Sequence, residues 1–457
     1  MLGLILERNE ALGRRAGLEQ ALRKALQAGQ LRVGVTLPST RSLATELGFA
    51  RATVVAVYEQ LTAEGYLVSR QGAATTVAAI AGAGEARRPT IAPTQTWMLD
   101  FLPGEPDHSS FPRAAWLAAS RRAMERSPDD LFAYGDAAGL PALRAALGDY
   151  LGRTRAVVAH PDAISIFNGM AAAIGLLAEA LRRGGVSRVA VEDPSLPPLR
   201  RIISEAGLEI VSIPVDEEGM SIDALETSEV GAVMVTPAHQ YPLGVSLSTA
   251  RRAALIDWSR RRSAWIIEDD YDGEFRYDRQ PVGSLQGLDP ERVVYAGTAS
   301  KSLAAGLRMA WLVLPSGLFD PVARAKGRRG GVSNLEQATL ADFITSGQLD
   351  RHVRAMKSVY RRRRDALIEA LAQDAPWIRA TGIAGGLHFT GFLSQGGPSE
   401  QEIIRGASER SIALFGLENH RLARPQPEGL VIGYSRSPAH KFSGALENLR
   451  SFLRSFG

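Results

Sequence analysis

The sequence predicts an α/β protein in two parts, a small helical head that carries a β-hairpin and a large body built on a mostly parallel sheet. Three observations lead to this prediction. Residues 1–78 combine helical periodicity with turn residues, and a segment rich in alanine, glycine and proline follows them. From about residue 98 onwards, short β-rich runs alternate with helical stretches, which is typical of right-handed βαβ units.

Length and composition exclude several classes of protein. The chain has 457 residues, of which 45% are hydrophobic and 22% charged, so a disordered or fibrous protein is excluded. At roughly 100–200 residues per domain, this length predicts about two to four domains. The absence of cysteine excludes disulfides, cysteine-ligated zinc, iron–sulfur clusters and thiol nucleophiles, and we predict no metal site.

Charge and apolar patterning bear on partners and location. A net charge of +4 and a pI near 9.4 permit a nucleic-acid partner without requiring one. No apolar run approaches the ~18 residues of a membrane span. Residues 1–7 lack the basic region and the cleavage site of a secretion signal. We therefore expect a cytoplasmic protein without a membrane partner.

The segment Ala79–Gln95 predicts a linker. It reads AIAGAGEARRPTIAPTQ and has no sustained amphipathic period. We therefore predict a head at 1–78, a linker at 79–97 and a body at 98–457. A body of this size suits a large lobe with a smaller one.

Three helices are predicted in the head. The first has leucines at helical spacing: Leu18, Leu22, Leu26 and Leu31. The second and third, Thr40–Glu46 and Ala50–Glu64, are separated by a turn that contains Gly48. A short helix, a glycine-containing turn and a second helix have the spacing of a helix-turn-helix.

The rest of the head completes a small core and a wing. The third helix has an apolar stripe that should face this core: Val54, Val57, Tyr58 and Leu61. Tyr66–Val68 and Thr75–Val77, joined through Gln71 and Gly72, predict a β-hairpin. In a major groove, the first residues of the third helix would reach bases and phosphates.

The string LPSTRSLATELGFARATVVAVYEQLTAEGY resembles the winged helix-turn-helix of GntR-type bacterial repressors. The resemblance implies a double-stranded operator DNA as partner, with contacts from these residues: Ser39, Arg41, Arg51, Thr53 and Gly72, the last in a minor groove. Two positions depart from the pattern. Ala50 replaces the usual serine before the recognition arginine, and Ala74 replaces the second glycine of the wing.

Seven β-rich runs predict the strands of the body sheet: Ile164–Asn168, Arg188–Val191, Glu209–Pro214, Ala232–Thr236, Ala264–Glu268, Val293–Gly297 and Met309–Leu314. Acidic and hydroxyl residues follow the ends of several of these runs. Open α/β sheets bind their ligands at the carboxyl ends of the strands. We therefore expect the functional site of the body there.

Lys301, just after one of these runs, is the candidate for a covalent bond to a cofactor. A buried lysine is costly because burial disfavours its charge, and a Schiff base removes that cost. Pyridoxal 5′-phosphate needs such a lysine, a carboxylate for its ring nitrogen and donors for its phosphate. Asp269 supplies the carboxylate and Arg308 is a candidate cation for the phosphate. A helix is predicted to begin at Gly169 and Met170, and their backbone N–H groups could complete the phosphate site.

Almost all of residues 99–455 resembles fold-type I aminotransferases, and with the head the chain resembles the MocR/GabR-type fused regulators. The shared strings are FLPGEPD at 101–107, AYGDAAGLPALRAAL at 133–147, TPAHQYPLG at 236–244, EDDYDGEFRYD at 268–278, GTASKSLAAGLRM at 297–309 and RHVRAMKSVYRRRRDAL at 351–367. The resemblance implies the pyridoxal phosphate-dependent transferase fold type I, with a smaller C-terminal α+β lobe. It also implies a homodimer formed by the bodies, often with the head of one chain over the body of the other.

The same resemblance implies a role for each matching side chain. Lys301 forms the Schiff base and Asp269 pairs with the ring nitrogen. Tyr271 hydrogen-bonds the phenolic oxygen of the cofactor, near which Tyr241 also lies. The phosphate is held by a group of three residues: Thr298, Ser300 and Arg308.

Several positions depart from the aminotransferase pattern. Leu196 replaces the aromatic residue that normally stacks on the cofactor ring, and Ala171 and Ala172 replace a polar pair. Leu430 lies roughly where the arginine for a substrate carboxylate is expected, and three arginines remain as substitutes: Arg421, Arg424 and Arg436. Without a bidentate clamp for the carboxylate, efficient transamination is disfavoured, although a half-reaction is still allowed.

Four further expectations concern residues around the site. Of Asp269 and Asp270, one should be a helix cap or a surface residue, since both cannot be buried beside the ring. Tyr134 should either belong to the core or reach the cofactor of a dimer partner. His239 and His388 should be structural histidines rather than acid–base groups. The run at 361–364 should be a solvated helix face.

The sequence therefore predicts a regulator dependent on pyridoxal phosphate. Its head binds an operator, and its body senses an amine, an amino acid or pyridoxal phosphate itself through Schiff-base exchange at Lys301. Two alternatives stay open. One is a working aminotransferase with a fused DNA-binding head, and the other is a repressor whose body has lost the cofactor.

Overall fold

The computed structural model describes residues 13–70, 73–79, 97–278, 282–327, 329, 331–423 and 427–456. Contacts divide the chain into two compact units, Met1–Gln95 and Thr96–Gly457. Gly72, Arg424 and most of the predicted linker lie outside the described residues. Among the residues that are described, no helix is both long enough and apolar enough to cross a membrane.

The head consists of three helices and a two-stranded antiparallel hairpin. Its elements are α1 (Arg14–Gln27), α2 (Thr40–Leu47), α3 (Arg51–Ala63), β1 (Leu67–Val68) and β2 (Thr76–Val77). Gly48 ends α2 with a φ of 70°, a left-handed conformation that glycine adopts without strain. The helix-turn-helix and the wing predicted from the sequence are thus both present.

The apolar stripe of α3 holds the head together. Val54, Val57 and Leu61 are fully buried and Tyr58 is nearly so, as the periodicity predicted. They pack against the leucines of α1 and against Leu43 of α2. Burial of such a stripe contributes about 1.5–3 kcal/mol per large side chain and leaves the opposite face of α3 free for a ligand.

The body contains a longer series of elements, which are, in chain order, β3 (Leu99–Asp100), α4 (Arg113–Arg126), α5 (Pro141–Arg155), β4 (Ile164–Asn168), α6 (Met170–Arg183), β5 (Arg188–Asp193), α7 (Pro197–Glu205), β6 (Glu209–Asp216), β7 (Gly219–Met220), α8 (Ile222–Glu226), β8 (Ala232–Val235), α9 (Thr249–Arg262), β9 (Trp265–Asp269), β10 (Val293–Thr298), α10 (Ala299–Ser302), β11 (Met309–Val313), α11 (Phe319–Lys326), α12 (Asn334–Thr345), α13 (Gln348–Asp374), β12 (Ile378–Thr381), β13 (His388–Leu393), α14 (Glu400–Glu409), β14 (Ile412–Ala413), β15 (Phe415–Gly416), β16 (Gly429–Gly433) and α15 (Ala439–Arg454).

The main sheet has eight strands in the order β4-β11-β10-β9-β8-β5-β6-β7. Neighbouring strands from β10 to β6 are parallel, whereas β11 is antiparallel to both of its neighbours and β7 is antiparallel to β6. All seven predicted strands lie in this sheet. Its central strands are buried on both faces because helices cover both sides, so they are almost continuously apolar.

A second sheet, in the order β12-β13-β16-β15, forms the smaller C-terminal lobe together with α13, α14 and α15. Its neighbouring strands are antiparallel. The α+β lobe implied by the resemblance is therefore present. Leu430 of β16 is fully buried.

Candidate functional site

A cavity of about 350 Å³ lies at the carboxyl ends of β5, β8, β9 and β10. Eight of the residues with predicted cofactor roles line it: Met170, Tyr241, Asp269, Tyr271, Thr298, Ser300, Lys301 and Arg308. The parallel strands explain why residues so far apart in the chain meet here, since their carboxyl ends share one edge of the sheet.

Lys301 lies in α10, directly after β10, and its ammonium group donates a hydrogen bond to the carbonyl oxygen of Gly104. Burial lowers the pKa of this amine, against the opposing charges of Asp269, Asp272 and Glu105. A lowered pKa increases the fraction of neutral amine, which is the nucleophilic form. The surroundings of Lys301 therefore suit a Schiff base with an aldehyde.

Asp269 is the last residue of β9 and is 6% exposed. Its Oδ1 atom is buried and has no hydrogen-bond partner among the described residues. Burial raises the pKa of the Asp269 carboxyl to about 7, against the opposing effect of the Lys301 charge. A buried carboxylate oxygen without a hydrogen bond destabilises the folded state unless a donor pairs with it. The protonated ring nitrogen of pyridoxal phosphate would be such a donor.

The neighbouring Asp270 has a different partner. Arg155 binds it through two hydrogen bonds, Nε to Oδ2 at 2.6 Å and an Nη atom to Oδ1 at 2.9 Å, and the Tyr295 hydroxyl donates to Oδ2 at 2.7 Å. The expectation that one of the two aspartates caps a helix or lies on the surface is wrong. Both are buried, and the Arg155 guanidinium compensates the second one inside the protein.

The predicted phosphate site is built from close contacts around Gly169. This glycine has a φ of 83° at the N-terminus of α6, and a Cβ there would lie 2.8 Å from an Nη atom of Arg308. Thr298 Oγ1 lies 2.9 Å from Ser300 Oγ. A guanidinium, two hydroxyls and the N-terminus of a 14-residue helix fit a phosphate group.

The hydroxyl of Tyr241 is held by a histidine from the smaller lobe. It lies 3.1 Å from His420 Nε2, and His420 Nδ1 lies 3.1 Å from the Gly416 carbonyl oxygen. Burial lowers the pKa of His420 to about 4, so the ring is neutral near pH 7. Because a carbonyl only accepts, Nδ1 carries the single hydrogen, and the Tyr241 hydroxyl donates to Nε2. A contact of Tyr241 with the phenolic oxygen of the cofactor stays a prediction.

Some of the positions that depart from the aminotransferase pattern line the cavity and others do not. Leu196 lines the wall. Arg436 pairs with Asp100 and Glu105, at 3.0 and 3.5 Å. Arg421 donates to the carbonyl of Pro427 at 2.7 Å. Neither of these two arginines lines the cavity. Arg424 lies outside the described residues.

Several cavity residues were not singled out in the sequence analysis, among them Glu105, Glu192 and Arg200. Arg200 lines the wall together with Leu196, Leu199 and Ile203, a spacing that places all four on one face of a helix. It donates to the carbonyl oxygen of His420 at 2.6 Å and has no carboxylate within ion-pair distance in the described part of the chain. Its position four residues after Leu196 was the available signal.

Other expectations have mixed outcomes. Tyr134 is fully exposed, so it does not belong to the core. The run at 361–364 is not wholly solvated, because Arg363 is buried and donates to Asp107 at 2.8 Å. His239 and His388 are buried beside the cavity, and with Asp272 they form a cluster whose composition would suit a metal ion. The absence of a metal site stays a prediction.

In the head, the predicted DNA contacts lie mainly on the surface. Arg41 and Arg51 are exposed, and Thr53 is half-buried. Ser39 caps α2 by accepting a hydrogen bond from the Ser42 backbone at 3.1 Å. Ala50 precedes α3 and provides no side-chain cap. The contacts of these residues with DNA stay predictions.

Comparisons with known proteins match both parts of the chain. Residues 98–403 match the family "Aminotransferase class I and II", and residues 14–77 match "Bacterial regulatory proteins, gntR family". The chain is 31% identical to the probable rhizopine catabolism regulatory protein MocR of Rhizobium meliloti, over 98% of this chain and 95% of the relative. It is also 31% identical to the HTH-type pyridoxine biosynthesis transcriptional regulator PdxR of Corynebacterium glutamicum, over 91% of each.

Among solved structures, the multiple substrate aminotransferase from Thermococcus profundus superposes with a TM-score of 0.71 at 24% identity. The superposition covers 79% of this chain and 92% of the aminotransferase. At this identity the likeness concerns the fold. It agrees with the mostly parallel sheet and the smaller lobe described above.

Proposed function

The chain belongs to the MocR-type transcriptional regulators, in which a GntR head is fused to an aminotransferase-like body, and we propose that this body senses an amine through Lys301. The family and the site residues indicate pyridoxal phosphate as the cofactor. When bound, this group supplies an aldehyde that amines can attack. The observation that carries the proposal is the half-buried Lys301 amine in the same cavity as Asp269, whose buried Oδ1 has no hydrogen-bond partner among the described residues.

In the proposed exchange, the nitrogen of the effector forms the bond to the cofactor carbon and Lys301 loses it. Lys301 leaves as a free amine, so that no water, oxidant or reductant is consumed. The two hydrogens of the effector amine would pass to the Lys301 nitrogen, so the side chain is freed as a neutral amine, the form that burial favours there. Such a change moves the head only if the open and closed forms of the protein differ in their affinity for the effector.

The cavity favours an effector that carries an acidic group as well as an amine. Arg200 is half-buried in its wall, and burial lowers the pKa of its guanidinium while Asp193 opposes this effect. Three apolar side chains of the same helix face surround it: Leu196, Leu199 and Ile203. As the effector, an amino acid or a related amine with an acidic group therefore fits the cavity better than a simple amine does, and better than pyridoxal phosphate alone.

We further propose that the protein is a homodimer in the cytoplasm and reads paired operator half-sites. Large apolar side chains are exposed on α4 and shortly after it, namely Leu117, Met124 and Phe132. Leu117 and Met124 are seven residues apart and lie on one helix face. An exposed apolar surface of this kind is typical of an interface. Two heads related by a two-fold axis would match a palindromic operator.

The test is a gel-shift titration of the promoter region of the gene itself, with the cofactor-loaded protein. Candidate amino acids are added as matched pairs, each acid with its amide. We expect specific binding of this DNA and a change in affinity with at least one acid that its amide does not cause. Failure to bind this DNA specifically contradicts the regulator, and the same response to acid and amide contradicts the role of Arg200.

The alternative is a working aminotransferase with a fused head. The fold of the body and its cavity favour it. Against it, a leucine lies at the position of the stacking ring, and Arg436 is already paired with two carboxylates. Steady turnover with an amino donor and a keto acid would support the alternative, whereas a single half-reaction would not.

A further inference from the structure

Two buried side chains without a predicted cofactor role lie behind Tyr271. His239 Nδ1 is 2.9 Å from the Tyr271 hydroxyl oxygen and 3.0 Å from Asp272 Oδ2. All three side chains are buried, and Tyr271 lines the cavity. A continuous chain of close polar contacts therefore runs from the interior of the body to the cofactor site.

The hydrogen on His239 Nδ1 sets the direction of this chain. A carboxylate only accepts hydrogen bonds, whereas an imidazole nitrogen either donates or accepts. Because Nδ1 faces Asp272 at 3.0 Å, it carries a hydrogen, in the neutral ring as in the charged one. The Tyr271 oxygen then faces a donor, so its own hydrogen cannot go to His239.

The Tyr271 hydroxyl has one direction left in which to donate. Within the described ranges, its oxygen has no hydrogen-bond partner other than His239. The open side is the cavity, where the resemblance places the phenolic oxygen of the cofactor. We propose that Asp272 and His239 are positioning residues that fix the Tyr271 hydroxyl as a hydrogen-bond donor to the bound cofactor.

The backbone around His239 leaves room for this arrangement and for little else. Gly386 has a φ of 73°, and a Cβ there would overlap the His239 ring and lie 2.7 Å from Asp272 Oδ2. On another side, a Cβ at Gly244 would lie 3.2 Å from His239 Nε2. The ring is therefore enclosed by two glycines, and its position depends on the absence of both side chains.

The other groups facing the chain do not supply a competing donor to Tyr271. The His388 ring lies 5.1 Å from the His239 ring, and its Nε2 donates to the Pro242 carbonyl at 3.1 Å. Burial lowers the pKa of His388 well below its usual value, so that ring is neutral. The charges that act most strongly on Tyr271 come from two acids and two tyrosines, Asp269, Asp272, Tyr241 and Tyr434, and Lys301 lines the same cavity.

The proposal has a consequence for the proton at the Lys301 nitrogen. The phenolic oxygen of the cofactor would accept hydrogen bonds both from the Tyr271 hydroxyl and from the proton on the Lys301 nitrogen. Because the two donors compete for this oxygen, the Tyr271 hydrogen bond favours loss of the proton from the nitrogen. If Asp272 is replaced by alanine, His239 is free to adopt the other tautomer and to accept the Tyr271 hydrogen, which turns the hydroxyl away from the cavity. Removal of the Asp272 charge by itself acts in the opposite direction, because a nearby negative charge favours the protonated form.

A double-mutant cycle separates these two effects. The readout is the pH midpoint of the visible-absorbance change in the cofactor-loaded full chain, for wild type, Asp272→Ala, Tyr271→Phe and the double variant. We compare the effect of Asp272→Ala on the dissociation constant of the proton at the Lys301 nitrogen with and without the Tyr271 hydroxyl. With the hydroxyl present, Asp272→Ala should lower this constant about three- to tenfold more than in the Tyr271→Phe background, which is the value of one hydrogen bond. Equal shifts in both backgrounds overturn the proposal.

Substitution of the histidine gives an independent check. His239→Asn keeps an N–H group near the Nδ1 position and should retain the wild-type midpoint. His239→Phe leaves the Tyr271 hydroxyl without the group that fixes it, so its midpoint should move part of the way towards that of Tyr271→Phe. A midpoint of His239→Asn that equals that of His239→Phe contradicts the proposal.

A measurement on the wild type keeps the proposal testable if the variants do not fold. Nitrogen-15 NMR of protein labelled at its 7 histidines reports which ring nitrogen carries hydrogen. We expect a protonated Nδ1 at His239, and a bare Nδ1 there overturns the proposal. The inference rests on the cofactor site of the proposed function: a colourless wild type contradicts that function, whereas additive shifts in a yellow protein contradict only the positioning chain.

Discussion

In the head, the arginines predicted to contact DNA lie on the surface, whereas in the body eight of the residues predicted to hold the cofactor line a cavity, and four of these are buried: Tyr241, Asp269, Tyr271 and Thr298. The difference follows from the ligands. DNA is large and uniformly charged, so it is held by many exposed cations of which each contributes a little. A small cofactor is held by a few buried groups whose polar atoms are costly when left unpaired. Single substitutions should therefore have large effects in the body and small ones in the head.

The largest expected effect is that of Lys301→Ala. Without its amine the protein cannot form the Schiff base, so we expect purified protein without yellow colour and without a response of DNA binding to amines. Lys326 provides the matched control, because it is a buried lysine whose pKa burial also lowers, to about 8, but it does not line the cavity. Lys326→Met should stay yellow, and absorbance spectra of both variants decide the matter.

Arg155→Met tests how much a buried charge depends on its partner. It leaves the Asp270 carboxylate buried beside one tyrosine hydroxyl, and loss of one partner of a buried pair costs about 3–5 kcal/mol. Arg153 on the same helix pairs with Asp350 and its side chain is 59% exposed, so Arg153→Met should cost at most about 1 kcal/mol. Urea unfolding of the two variants measures both values, and similar losses would remove the distinction between buried and exposed pairs.

Asp269→Asn should change how stability depends on pH. The folded protein raises the pKa of this carboxyl from its usual 3.8 to about 7, so between these values the folded state binds more protons than the unfolded state. The contribution of Asp269 to the free energy of unfolding of the cofactor-free protein therefore falls as pH rises from about 4 to about 7.

The asparagine variant should show a smaller fall over this range, because its side chain does not titrate. Urea unfolding at several pH values measures it. Cofactor-loaded wild type is the control. There the cofactor ring nitrogen would donate a hydrogen bond to Asp269 and favour the ionised carboxylate, so the decrease in the free energy of unfolding between about pH 4 and about pH 7 should also be smaller. Parallel curves for the variant and the cofactor-free wild type would show that Asp269 does not contribute.

The smallest expected effect is that of Arg51→Ala in the head. Loss of one phosphate contact should lower the slope of log affinity against log salt by about 0.9 and leave the fold intact, because the side chain is exposed. Arg15→Ala on α1 is the control, since that arginine is exposed but lies outside the helix-turn-helix. Binding measured at several salt concentrations checks both, and an unchanged slope for Arg51→Ala would remove this residue from the DNA contacts.

Much of the fold was predictable because its signals are local. The strands of the body are apolar runs long enough to be buried on both faces, and α3 of the head has its apolar residues at helical spacing. The turn at Gly48 requires a left-handed residue, which the glycine itself indicates. The residues predicted for the cofactor came from their order in matching motifs, and eight of them line one cavity, while their contacts with the cofactor stay predictions.

The sequence by itself determined the order of elements, the two folding units and the chemical groups available for a cofactor and for DNA, since each depends on neighbouring residues. Only the tertiary structure decided which partners these groups have. Asp269 and Asp270 are adjacent, yet the first lines the cavity with an Oδ1 atom that has no partner in the described part of the chain, and the second binds Arg155, which is 115 residues earlier in the chain. The contact of His239 with Asp272 and the position of Arg200 at the cavity were also decided by the tertiary structure. Contacts between distant segments depend on how helices and strands pack, and no local pattern encodes that packing.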